Sequence, residues 1–123
     1  MAVSQVTLGF PSGTKLFTDT DNAEVITAIS ASAVTLYEIE IDNTLNAAAA
    51  SYLKLWNTAS GSVTVGTTAP DIILLAPAAV SRTYVFPAGI AFATAASCAT
   101  VTTAGTAGVT GPTSNVTVRI VYA

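Results

Sequence analysis

The chain has 123 residues, with four Lys plus Arg, seven Asp plus Glu, no His and one Cys, while 51% of it is hydrophobic and only 9% charged. A length of this order is a single domain, and the charged share lies far below the roughly 25% of an average soluble domain. The absence of His removes Ser-His-Asp and Cys-His nucleophile activation, the usual general base near neutral pH and the commonest metal ligand, so an enzyme is not expected.

Further classes fall on the same figures. Cys98 alone forms no internal disulfide, and thiolate metal sites need several cysteines, so neither a metal nor a cofactor is expected. A net charge of -3, with Lys15, Lys54, Arg82 and Arg119 scattered singly, does not neutralise a phosphate backbone, which argues against nucleic acid as a partner. The strongest apolar stretch, residues 72–80, is cut by Pro77 and preceded by Asp71, which is too short for a membrane-spanning helix. The first basic residue is Lys15 and no basic segment precedes an apolar run, so no secretory leader is expected and synthesis in a cytoplasm is.

Ala and Thr together make up about a third of the residues, with Val and Ser next. Branching at Cβ favours strands, and the composition reads all-β. Residues 1–22 mix the turn formers Gly9, Pro11, Gly13, Asp19 and Asn22 with Val6, Leu8, Phe10, Leu16 and Phe17. They are expected to form an irregular or edge-strand arm ahead of a sandwich domain over 23–123. The arm's apolar side chains need a surface to cover, either the chain's own sandwich or a neighbouring subunit.

A strand is expected over 24–30 and another over 34–43, where Tyr37, Ile39 and Ile41 alternate with Glu38, Glu40 and Asp42. The four Ala of 47–50 fit a helical turn in isolation; the strand pattern resuming at 52–57 makes them a loop. There Leu53 and Leu55 oppose Tyr52, Lys54 and Trp56. Residues 58–68 read as a turn or weak edge strand. The unbroken apolar run 72–75 reads as a strand buried on both faces or covered by a partner. Two short strands, 81–86 and 89–94, flank a turn at 87–89. Residues 97–103 are β-like, 104–114 form a long Gly-rich loop, and 115–123 close the chain with Val116, Val118, Ile120 and Tyr122 on one face. Seven to eight strands at this spacing indicate an antiparallel β-sandwich, jelly-roll-like.

Three groups invite a chemical reading, and each has a plainer one. Glu38, Glu40 and Asp42 share a strand face about 7 Å apart, as an acid and base pair would, yet a solvated strand face explains them. Asp19, Asp21, Asn22 and Glu24 offer hard oxygen ligands without the spacing of a calcium loop. Residues 105–111 are Gly-rich but lack the Lys-Ser or Lys-Thr step of a phosphate loop. Cys98, between alanines, reads as a small buried hydrophobe.

A surface so poor in charge is weakly protected against association, which points to coverage by other subunits. The stretches Tyr52-Leu-Lys-Leu-Trp-Asn, Val65-Gly-Thr-Thr-Ala-Pro-Asp, Tyr84-Val-Phe-Pro-Ala-Gly-Ile-Ala-Phe, Thr102-Thr-Ala-Gly-Thr-Ala-Gly and Val116-Thr-Val-Arg-Ile-Val-Tyr follow one another in that order. In that order, which is more specific than any one of them, they resemble small β-sandwich virion structural proteins of tailed bacteriophages, of the capsid cement or decoration type. The resemblance spans residues 52–122 and leaves the arm outside it. It implies a non-enzymatic homotrimer on the capsid surface, made in the host bacterial cytoplasm and bound between subunits of the major capsid protein. Its motifs are strand cores and turns, so no functional residue carries over. The contact residues expected from the sequence are Phe10, Leu16 and Phe17 of the arm and Gly105, Gly108 and Val109 of the Gly-rich loop. The alternatives are a tail, baseplate or fibre component, and a carbohydrate-binding module, which would need several exposed aromatics on one face from a total of nine.

Overall fold

The computed structural model describes residues 13–123, so Phe10 lies outside the described residues. Eight strands follow in order: β1 Lys15–Asn22, β2 Thr27–Ser30, β3 Val34–Asp42, β4 Ser51–Trp56, β5 Ile72–Ala76, β6 Ser81–Phe92, β7 Ala96–Val101 and β8 Val116–Tyr122. They form two four-stranded antiparallel sheets, in the orders β1-β8-β3-β6 and β2-β7-β4-β5. Every connection except β4–β5 passes from one sheet to the other. That winding is the jelly roll, an all-β sandwich built from two Greek keys.

The inward faces supply one core. Leu36, Ile39 and Ile41 of β3, Leu53 and Leu55 of β4, Cys98 of β7 and Val116, Val118 and Ile120 of β8 are fully buried together. Each large apolar side chain so removed from water contributes about 1.5 to 3 kcal/mol. The expected alternation holds for Ile39 and Ile41, but Leu36 rather than Tyr37 completes the buried face of β3. The register shifts between Leu36 and Glu38 on both sides of the strand, and this bulge at Tyr37 keeps Leu36 and Ile39 on the same face.

The partner strand bulges more. Ile90 lies opposite Leu36 and Val85 opposite Glu38, so residues 86–89 of β6 face the single residue Tyr37. The turn expected at 87–89 is therefore an irregularity inside one long strand, and the two strands expected there are one. Gly89 has φ +75°, and a Cβ on it would overlap Thr35 Cγ2 and stand 2.9 Å from Tyr37 Cε1. Only glycine fits there.

Lys15–Asn22, the end of the stretch read as an arm, is the edge strand β1, paired with β8 from Lys15 against Tyr122 to Asn22 against Val116. β2 is shorter than expected, and the Ala run at 47–50 is a loop. β5 departs from the expectation of burial on both faces. It is the terminal strand of its sheet, with Ile72 and Leu74 half-buried against the core and Ile73 37% exposed.

Candidate functional site

The two outer faces of the sandwich differ, and the difference starts in β4. Leu53 and Leu55 point into the core, which turns Tyr52, Lys54 and Trp56 outward. Lys54 is nevertheless 0% exposed and Trp56 1%. The β4–β5 and β7–β8 connections fold across this face and cover it from within the same chain. Trp56 gathers Val63 and Ala99, with Ile26 and Val65 at the margin, into a second apolar cluster. Its indole N–H donates to the Thr68 carbonyl at 3.0 Å.

Lys54 is held by the Gly-rich loop. Its ammonium donates to the carbonyls of Gly108 at 2.9 Å and Thr106 at 3.3 Å. Burial pulls its pKa below the ordinary lysine value, because a charged group loses hydration there. The loop can approach so closely because residue 108 has no side chain, and a Cβ there would overlap the Thr103 carbonyl oxygen. Val109 packs its Cγ1 against Gly66, where a Cβ would overlap it. Of the loop residues expected to make contacts, Gly108 is buried, while Gly105 is exposed and Val109 is 52% exposed. Thus part of the covering that the composition calls for is supplied by the chain itself.

The outer face of the first sheet carries no such cover among the described residues. The strand register arranges it in rows. Leu16, Val121, Glu38 and Val85 lie side by side across β1, β8, β3 and β6. Thr18, Arg119, Glu40 and Thr83 form the next row, followed by Thr117, Asp42 and Ser81. Leu16 is 62% exposed and Val85 58%. Phe17, one residue on, turns inward and packs half-buried against the core. The face is therefore apolar along one row except at Glu38, and polar along the others, where Arg119, Glu40 and Asp42 carry the charges.

Two of its three carboxylates, Glu40 and Asp42, are engaged individually. Glu40 accepts a 2.5 Å hydrogen bond from Arg119, with both side chains partly exposed, and such a pair contributes only about 0 to 1 kcal/mol. Asp42 accepts from the Thr44 hydroxyl at 2.6 Å and the Thr44 N–H at 3.0 Å, which hold its carboxyl below the usual range. A general acid needs a raised pKa beside an ionised partner. Asp42 is shifted the opposite way.

Other polar groups hold the chain locally. Asp19 accepts from the Asp21 N–H at 3.1 Å and from Asn22 Nδ2 at 2.9 Å, and its hydrogen bond and charge raise the Asp21 carboxyl. Glu24 lies against the backbone of Gly111. Among the described residues, no three His, Cys, Asp or Glu side chains are placed to hold a metal ion. Cys98 is buried, and loss of hydration pushes its thiol up to about 12.

Asn43 and Asn46 are functional in a structural sense that the sequence did not announce. Asn43 Nδ2 donates to the carbonyls of Ala49, Ala76 and Pro77, and its Oδ1 accepts from Asn46 and Ser51. Asn46 reaches on to Ser114 in both directions. Beside this hub a depression of about 240 Å³ opens between Leu45, Ala47, Ala48 and Thr113, with no ionisable side chain in its lining. No helix among the described residues is long and apolar enough to cross a membrane. Comparison with protein-family models, with curated proteins and with solved structures found no match.

Proposed function

We propose that the protein is a non-enzymatic structural component of a tailed-bacteriophage virion, a capsid cement or decoration protein. It binds as a homotrimer between subunits of the major capsid protein, on the outer surface of the shell, after synthesis in the host bacterial cytoplasm. The observation that carries the reading is the outer face of the β1-β8-β3-β6 sheet, left uncovered by the described residues and carrying Leu16, Val121 and Val85 in one row, on a jelly roll whose other outer face is covered by its own loops. Jelly rolls of this winding build viral capsid domains as well as lectins. Burial of Leu16 and Val85 against a shell would contribute about 1.5 to 3 kcal/mol each, and many copies multiply it.

The lectin-like alternative has less support. A sugar platform needs exposed aromatic rings, but Trp56 and Phe92 are buried and Phe17, Tyr84, Phe86 and Tyr122 pack against the core. The test is reconstitution. Purified protein is added to shells that lack it, and bound copies and heat resistance are measured. Binding in hundreds of copies with raised heat resistance is expected for a cement protein. Binding in a few copies at one vertex would instead make it a tail component, and no binding with unchanged heat resistance would overturn the reading.

A further inference from the structure

Each jelly-roll sheet ends in two edge strands, and an edge strand leaves a row of backbone N–H and C=O groups free to pair with another chain. Proteins blunt such edges with charge, Pro, bulges or short length. Three of the four edges here are blunted. β1 carries Lys15, Asp19 and Asp21, with its register broken between Asp19 and Asn22. β2 has four residues and a register shift between Ala28 and Ser30. β6 carries Arg82 and is interrupted by the bulge containing Pro87 and Gly89. β5, one residue longer than β2, carries no charge, Pro, Gly or bulge within it. It is Ile72-Ile-Leu-Leu-Ala76, and it pairs with β4 over five successive residues without a shift.

We infer that the free edge of β5 is a pairing site for the β5 strand of a second copy, joined antiparallel about a two-fold axis at Leu74. The second copy is the occupant that fits, since an uncharged apolar strand meets its own twin without like-charge repulsion. In this register Leu74 faces Leu74 of the other copy, and Ile73 faces Leu75. The two Asp71 side chains fall at opposite ends of the pair. Ile73 lies opposite Lys54 and Leu75 opposite Tyr52 within the sheet, which places both on its outer side. There the exposed Ile73 meets the half-buried Leu75 of the twin. Tyr84 donates to the Leu75 carbonyl at 2.6 Å, and a carbonyl oxygen retains a second lone pair for another donor. The pairing makes one eight-stranded sheet across two copies, so it joins a copy of one trimer to a copy of another rather than closing the trimer itself, and it uses none of the outer face assigned to the shell.

Cross-linking tests it. Proteins carrying Ile73→Cys or Leu75→Cys are mixed and mildly oxidised, with Trp56 emission confirming that each is folded. Residue 73 faces 75 of the other copy, whereas two copies of residue 73 stand diagonally, beyond the roughly 7 Å that a disulfide can bridge. The buried Cys98 adds no competing thiol. The expected result is covalent dimer in the mixture, at several times the yield of either variant alone. Adding Ile73→Lys to the Leu75→Cys partner places a charge at the pairing edge and should cut the yield at least tenfold, while Val85→Lys on the other sheet leaves it unchanged. A mixture that yields no more dimer than the single variants overturns the inference, as does a yield unaffected by Ile73→Lys. Shell binding by the Ile73→Lys protein is scored separately, so failure of the pairing and failure of the cement reading are distinguishable.

Discussion

The clip between Lys54 and the Gly-rich loop makes a sharp prediction for Gly108→Ala. The new Cβ would overlap the Thr103 carbonyl oxygen and stand 3.1 Å from the Thr103 carbonyl carbon, and backbone cannot yield as a side-chain tip can. Overpacking of this kind costs about 1 to 3 kcal/mol. If the loop retreats, the Lys54 ammonium loses its 2.9 Å acceptor, and a hydrogen bond to a charged group adds about 1.5 to 3 kcal/mol. The loop bears the clash or gives up the bond, whichever costs less, so the expected loss is about 1 to 3 kcal/mol. That is a large part of the roughly 5 to 15 kcal/mol by which domains are stable. The chain's single Trp lies under the same cover, so urea unfolding followed by Trp56 emission reads both stability and local packing. The midpoint should fall with little change in slope, and native emission should shift to the red. Gly61→Ala is the control, since a Cβ there meets nothing within 4 Å and its φ is not positive. A Gly108→Ala protein within about 0.5 kcal/mol of the parent, with parental emission, would refute the clip.

Gly89→Ala should cost about 1 to 3 kcal/mol in the same assay, because its positive φ and the Thr35 and Tyr37 side chains leave no room for a Cβ. Asn43→Ala strands three carbonyls and two donors at once, and a loss of about 3 kcal/mol or more is expected in denaturant midpoint. Alkaline titration of stability should show two opposed effects. The Cys98 thiol, raised from 9.0 to about 12, keeps its proton longer in the folded chain, so its contribution is whole below pH 9.0 and is lost as pH climbs towards 12, on the order of 4 kcal/mol in all. Cys98→Ala should flatten that fall. Lys54 is shifted down from 10.5 by burial, so the unfolded chain binds more protons between its folded pKa and 10.5, and this group alone makes stability rise with pH across that window. Lys54→Met should remove the rise, read as the difference between the two unfolding curves.

Much of the fold was legible because one periodicity dominates each strand. β8 alternates Val116, Val118 and Ile120 inward without interruption, and the structure buries all three. β4 showed the same pattern through Leu53 and Leu55. Where the period breaks, the reading failed for a definable reason. A bulge is invisible to an alternation argument, so Tyr37 took the place of Leu36, and Pro87 with Gly89 looked like a turn when they bend a continuous strand. The apolar run of β5 fits either burial on both faces or cover by a partner, and only the first is ruled out, because composition does not show whether a strand lies at a sheet's centre or its edge. The covered face of the second sheet was half legible. Lys54 between two aromatics on an outward face was the signal, but its burial depends on carbonyls 52 and 54 residues away in the chain, which no local pattern encodes.

That burial changes what the scarcity of charge means. Of the four basic side chains, Lys54 is consumed inside the fold and Arg119 is paired with Glu40. Lys15 and Arg82 remain, on the two edge strands of the first sheet. The rows between them offer Thr, Ser, Leu and Val with three carboxylates, two of which are engaged locally. A partner docking on this face would meet shape and apolar surface rather than a field, and steering by complementary charge would contribute little. Attachment to shells should therefore change by less than about threefold between low salt and salt well above the physiological range, where a charge-steered contact would weaken far more. A steep salt dependence in the binding isotherm would mean that Glu38, Glu40 or Asp42 faces a basic partner directly. The uncharged positions would then be a margin of the contact and not its centre.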